Sequence, residues 1–464
     1  MSALKSLYLK LPIPLQQAAC SMEGWRIRHN RYTRSFRAAL QKAEERAFWS
    51  KERITNYRDE RMQRFVKHCA ETVPYYKRLF REIGITPDDI RTLEDLQVLP
   101  ILTKQDVKDN YAELLSEAVP KSQRVSFHTS GTTGSGLHFA TTRASLDEQW
   151  ASVWRFRRSH GIQLGMWCGY FAGRFVVPLE QNKPPFWRIN YPGRQIIFSG
   201  AHMSEDNLGD YIAELNKRRP PYLQGYPSML TLLAAYMVET GKYLDYPVKW
   251  VVTNSENLLP YQAALLEQAF GARPIQRYAM SEAAASASEC VCGRLHIDED
   301  MAATEIVPAP DGFGYRVLGS AFTNLALPLL RYDVGDLATI SDGTCPCGRP
   351  GRILASIDGR KDDYIILPNG ARLGGWVDLI FQDMAHVREA QVYQQKIDEI
   401  ILRVAPAATY TQQDEMTLLR LAQKRVGDDV DVRIEYLDRL ERAPNGKLRC
   451  VVSEIKEGQL ESVV

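Results

Sequence analysis

A chain of 464 residues exceeds one ordinary domain and can bury a large core. It is 45% hydrophobic and 25% charged, with a formal net charge of +2, a balance that argues against a dedicated nucleic-acid binder, which needs concentrated basic surface. No apolar run approaches the length that crosses a bilayer, and residues 1–22, cut by Pro12 and Pro14, lack the clean apolar stretch of a signal peptide, so a cytoplasmic protein without an integral membrane segment is expected.

Residues 1–82 read as a helical arm, charged and periodic from Met22 onward, with Phe36, Leu40, Ala47 and Trp49 on its apolar positions. Pro74-Tyr75-Tyr76 reads as the end of a helix, and residues 100–106 as a loop into a capped helix. Two strand-like runs, 124–127 and 137–141, flank a glycine-rich loop. A helix is predicted over 144–158. The aromatics of 165–199, among them Phe171, Phe186, Trp187 and Tyr191, fit ordinary core better than an aromatic-lined pocket.

From Tyr222 the pattern alternates: strand 222–225, helix 228–240, strand 250–253, helix 261–270, strand 274–278. Such alternation predicts an α/β layer with a parallel sheet, whose ligands gather beyond the carboxyl ends of the strands. Ser255-Glu256-Asn257 and Ala279-Met280-Ser281-Glu282 fall at such ends. Short strands follow residue 301. A turn at 358–360 opens a C-terminal piece of mixed α/β character.

The loop His128-Thr129-Ser130-Gly131-Thr132-Thr133-Gly134-Ser135-Gly136 combines backbone freedom with hydroxyl donors, a combination that suits an anion such as phosphate; a solvated hairpin turn is the competing reading. Its Gly131-x4-Gly136 spacing copies a Walker loop, but Leu137 and His138 stand where Lys and Ser/Thr are required. Two cysteine hooks, Cys290-x-Cys292 and Cys345-x-Cys347, can supply four thiolates for tetrahedral zinc, giving a zinc element over 290–349; free thiols are the competing reading.

Five segments stand in order: the loop at 128–136, Tyr278-Ala279-Met280-Ser281-Glu282, Leu330 to Leu337 with Asp333 and Asp336, Gly359-Arg360-Lys361, and Pro444-Asn445-Gly446-Lys447. Together they resemble the adenylate-forming superfamily, and within it the phenylacetate–CoA ligase-like branch linked to capsule and exopolysaccharide genes. The resemblance implies an α/β fold: a large N-terminal domain over 1–358 with mixed sheets and helices, and a small α+β domain over 359–464 on a hinge at Gly359-Arg360. It implies ATP and Mg²⁺ as cofactors and an acyl-adenylate intermediate, with coenzyme A as the expected acceptor. Transfer to an amine or hydroxyl of a sugar or amino acid is the alternative, and a catalytically silent nucleotide-binding scaffold is a further one.

By the same resemblance Thr129, Ser130, Gly131, Thr132, Thr133 and Gly134 cradle the leaving phosphates. Glu282, beside Ser281, ligates Mg²⁺; Asp336 accepts from the ribose hydroxyls; Ser255, Glu256 and Asn257 face adenine, and Tyr278 stacks on it. Arg360 marks the hinge, and Lys447 reaches the α-phosphate. Relatives that carry zinc suggest His296 as a substitute ligand. The expected partners are a small carboxylic acid and its acyl acceptor, with a homodimer left open.

Overall fold

The computed structural model describes residues 7–128, 137–173, 176–309, 314–360, 364–369, 372–374, 380–381, 386–443 and 446–455. The chain forms two compact units that interleave in sequence: Met1–Arg28, Leu164–Gln276 and Gly359–Val464 in the first, His29–Gln163 and Arg277–Asp358 in the second.

The first unit is built on parallel strands. Pro274–Ala279, through Gln276, pairs with Trp250–Thr253, followed by Tyr222–Gly225, Cys168–Ala172 and Gln195–Ser199, with antiparallel Trp187–Asn190 at the edge. Runs such as Val251-Val252 and Ile196-Ile197 are buried, as strands covered on both faces require. The connecting helices Pro227–Thr240 and Pro260–Phe270 each open on a proline, whose missing N–H costs nothing in the first turn, and close on a left-handed glycine, Gly241 or Gly271. The alternation predicted from Tyr222 onward is present, with boundaries within one residue. Phe171, Phe186, Trp187 and Phe198 are core, Phe171 stacking on Phe198 at 4.5 Å, whereas Tyr191 is exposed.

The C-terminal part of this unit is a four-stranded sheet in the order Asp431–Tyr436, Glu399–Pro406, Val387–Lys396, Val451–Ser453, accompanied by the helix Gln412–Val426. Its core of Ile400, Leu402, Val404, Leu418 and Ala422 also takes in Leu259 and Tyr261, just after the Ser255-Glu256-Asn257 segment. That packing brings the C-terminal sheet to the carboxyl ends of the parallel strands.

The second unit sets helices Arg34–Arg46, Lys51–Thr72, Pro74–Ile83 and Arg143–Ser159 with an antiparallel sheet. Its strands run Arg277–Ala279, Ser286–Glu289, Leu295–Ile297, Ile353–Arg360, Tyr332–Ser341, Tyr315–Ser320, Ala303–Pro308. Strands Arg124–His128 and His138–Thr142 form an antiparallel hairpin with Phe127 stacked on Phe139. Two local expectations are corrected. Pro74 opens a helix instead of ending one, because the preceding helix stops at Thr72 and proline is at home in a first turn. The 358–360 turn is instead the end of the strand Ile353–Arg360, where Gly359 takes φ 96° inside the pairing.

Candidate active site

The carboxyl ends of strands Tyr222–Gly225 and Trp250–Thr253 lie side by side, Gly225 opposite Thr253. Gly225 is required there: a Cβ would stand 2.2 Å from the Phe171 carbonyl oxygen. The chain then turns through Tyr226 into the helix Pro227–Thr240. On the neighbouring strand it turns through Asn254 and Ser255, the latter at φ 69° with its hydroxyl donating to Asn254 Oδ1 at 2.9 Å. A non-glycine residue in the left-handed region carries strain that surrounding contacts must hold.

Glu256 follows. Its carboxylate accepts the Ser228 N–H at 3.0 Å and the Ser228 hydroxyl at 3.1 Å, at the first turn of Pro227–Thr240. Helix N-termini carry unsatisfied N–H groups and positive potential, so a carboxylate is well placed there. The same Oε1 accepts the Leu448 N–H at 2.9 Å. Burial pushes the Glu256 carboxyl up, while Arg442 and the Ser228 and Leu448 N–H groups pull it down.

Leu448 follows Lys447 on a tight turn closed by Gly446 N–H to the Ala443 carbonyl at 2.8 Å and Ala443 N–H to the Lys447 carbonyl at 2.9 Å. Gly446 has φ 80°, which favours glycine. Arg442 donates to the Ser228 hydroxyl at 2.6 Å and to buried Glu389 of the strand Val387–Lys396. The Lys447 ammonium lies 5.9 Å from the centre of the Tyr226 ring. Lys447 therefore stands beyond the carboxyl ends of parallel strands, where open α/β sheets bind their ligands.

In the second unit, Tyr278 of the strand Pro274–Ala279 donates its hydroxyl to Asp336 Oδ2 at 2.7 Å. Asp336 sits inside the ten-residue strand Tyr332–Ser341, where the register against Tyr315–Ser320 shifts and Gly335 takes φ 76°. A bulge of this kind re-aims a side chain without ending the strand. Ser281 and Glu282 occupy the turn between Pro274–Ala279 and Ser286–Glu289, Ser281 exposed and Glu282 half-buried.

Four possible metal ligands converge in the second unit. The ligand atoms of Cys290, His296, Cys345 and Cys347 all lie within 4.8 Å of one another. Cys290 Sγ is 3.6 Å from Cys345 Sγ, and Cys347 Sγ is 3.5 Å from His296 Nε2. Tetrahedral zinc with bonds of about 2.3 Å to sulfur holds neighbouring ligands roughly 3.8 Å apart, so the set fits that ion. Burial and the adjoining Cys345 and Cys290 push the Cys347 thiol up to about 12, as crowded thiols do before a cation draws their protons off. Of the two sets expected, the cluster matches the one with His296 as substitute ligand: Cys292 is exposed and His296 stands in its place. The C-x-C spacing alone does not reveal this, because Leu295–Ile297 pairs with Ser286–Glu289 and with Ile353–Arg360 and so carries His296 in from another strand.

The structure brings Glu256, Lys447 and Asn257 into one neighbourhood of the first unit; a Cβ on Gly359 would lie 3.5 Å from Asn257 Nδ2. It brings Tyr278 to Asp336 in the second. Thr129, Ser130, Gly131, Thr132, Thr133 and Gly134 lie outside the described residues, as does the Arg360 side chain. Tyr226, Ser228 and Arg442 were not singled out beforehand. The Gly225-Tyr226-Pro227 junction, a strand end opening directly into a helix, was a readable signal for the first two. Arg442 offered none.

Residues 366–454 match the family model described as the CapK C-terminal domain. Across 464 aligned positions, 98% of this chain and 100% of the relative, the chain is 25% identical to Protein CapK of Staphylococcus aureus. It is 29% identical to the phenylacetate–coenzyme A ligase of Thermus thermophilus over 68% of this chain and 72% of that protein. A crystal structure of 2-hydroxyisobutyryl-CoA ligase in its post-adenylation state shares the fold, with a TM-score of 0.69 at 20% identity over 90% of this chain and 94% of that one. These relatives support an adenylate-forming, phenylacetate–CoA ligase-like, CapK-linked family for the chain, and the crystal structure shows the shared fold.

Proposed function

We propose that this chain is an AMP-forming acid ligase: it joins a carboxylic acid to ATP as an acyl-adenylate, releases pyrophosphate, and passes the acyl group to coenzyme A. The chemistry brings a carboxylate onto a phosphate, two anions, so the site must supply positive charge and N–H donors where charge accumulates. The observation that supports the reading is the placement of Lys447 beyond the carboxyl ends of Tyr222–Gly225 and Trp250–Thr253, with Glu256 accepting the N–H of the next residue. Lys447 carries the cation to the α-phosphate and the acid. Glu282 offers the oxygen donor that magnesium prefers beside phosphates. The Asp336 carboxylate, shared with Tyr278, takes the ribose hydroxyls. The 129–134 loop cradles the departing phosphates. Cys290, His296, Cys345 and Cys347 hold a zinc ion in a closed, structural set.

Exchange of labelled pyrophosphate into ATP, driven by a panel of aromatic, aliphatic, amino and sugar acids, tests the reading. One acid should support exchange, and Lys447→Ala should lower it by about a hundredfold or more, the scale of removing one preorganised electrostatic group. Exchange with none of the panel would favour a nucleotide-binding scaffold. A second reading, transfer to an amine or hydroxyl instead of coenzyme A, is favoured by the full-length match to CapK and the CapK-type C-terminal residues. Screening acceptors with the winning acid separates the two.

A further inference from the structure

We propose that Glu256 is the positioning residue of Lys447: its carboxylate is the socket that fixes the lysine turn to the head of the helix Pro227–Thr240. The inference rests on the ligase reading and replaces the adenine-facing role expected for this residue.

A lysine on a turn is a mobile cation on a four-carbon stem. To meet charge at one atom, its backbone must be held within about half an ångström. Two backbone hydrogen bonds, Ala443 N–H to Lys447 and Gly446 N–H to Ala443, close the turn on itself. The next residue ties it to the helix head, its N–H going to Glu256 Oε1. Glu256 is in turn held by the Ser228 N–H and hydroxyl. Arg442, which starts the turn, donates to that same hydroxyl, and its Nη1 lies 3.4 Å from the Gly446 carbonyl. Glu389 holds Arg442 from the C-terminal sheet and accepts the Leu440 N–H at 2.8 Å. The chain of contacts Glu389, Arg442, Ser228, Glu256, Leu448 thus encloses Lys447 on both sides in sequence.

Three donors converge on one carboxylate. Glutamine keeps the shape but replaces one acceptor oxygen with an NH₂ group that would face a donor, so it cannot reproduce the socket. Aspartate keeps the charge but is one methylene short of spanning Ser228 and Leu448.

A residue that merely caps a helix would, when changed, disturb every step alike. A socket for Lys447 predicts a split. With phenylacetate as the probe acid, Glu256→Gln should slow pyrophosphate exchange at least tenfold relative to thioester formation from supplied phenylacetyl-adenylate and coenzyme A. Backbone hydrogen exchange, which needs no substrate, should show the 446–450 amides losing protection in Glu256→Gln, with partial recovery in Glu256→Asp. Equal loss of both half-reactions, or unchanged protection at Leu448, overturns the proposal. If the wild-type chain activates no acid, the ligase reading falls, and unaltered Leu448 protection in Glu256→Gln would then overturn the socket by itself.

Discussion

Asp336 shares its carboxylate with the Tyr278 hydroxyl across two strands, 58 residues apart in sequence. A hydrogen bond to a charged acceptor contributes about 1.5–3 kcal/mol net, and an orphaned partner costs its desolvation as well. Asp336→Asn is therefore expected to weaken ATP binding by roughly ten- to a hundredfold, by calorimetry, since it removes the charge that two ribose hydroxyls would use. Tyr278→Phe leaves the carboxylate in place and should cost less, about tenfold or under. Equal affinities for all three proteins would remove the ribose role. The sequence points to both residues as candidates, whereas the hydrogen bond between them leaves no mark in it. Glu256 was placed correctly at a strand end, yet two of its donors come from 28 residues upstream and 192 downstream. No local pattern encodes a hydrogen bond closed over that distance.

At the scale of elements, the alternating run from Tyr222 to Pro274 was readable because buried parallel strands and proline-started helices each leave a local mark. The 358–360 segment misled: Asp358-Gly359 is turn chemistry, but strand pairing overrides it and glycine supplies the φ that the pairing needs. The cysteine element shows the same limit. Three of its four members lie on the two hooks; His296, named only as a substitute, is carried in by a strand whose pairing the sequence does not announce. The two ligand sets predict different mutants. His296→Ala and Cys345→Ser should each lose bound zinc by elemental analysis and lower the melting temperature, because three ligands hold the ion far less well than four. Cys292→Ser should keep its metal. Zinc lost from Cys292→Ser and kept in His296→Ala would restore the four-cysteine set, and a wild-type protein purified without zinc would end the proposal.

Over the whole of the second unit, the arm is tied to the sheet side by charge. Asp298, Glu299 and Asp300 are three consecutive acidic residues, and all three are buried. Arg155 donates to Asp298 at 2.8 Å and to Asp300 at 2.7 Å, Arg46 to Asp300 at 2.6 Å, Arg58 to Glu299 at 3.2 Å and Arg352 to Glu299 at 2.7 Å. The helices Arg34–Arg46, Lys51–Thr72 and Arg143–Ser159 thus each place an arginine on this one triplet. Burial by itself would raise the Asp300 carboxyl; the Arg155 and Arg46 guanidiniums outweigh it and hold it far below the usual range. A carboxyl lowered on folding contributes stability that is complete above its unfolded pKa of about 4 and lost as pH falls below it. The melting temperature should accordingly drop between about pH 5 and pH 3, where the unfolded chain takes up the proton that the folded one refuses. Asp300→Asn leaves two buried guanidiniums short of a counter-charge, at a cost of about 3–5 kcal/mol at neutral pH. It also deletes the titrating group, so the variant should be less stable at pH 7 and lose less on acidification. A variant whose stability falls with acid as steeply as the wild type would show that Asp300 is not where the acid sensitivity resides.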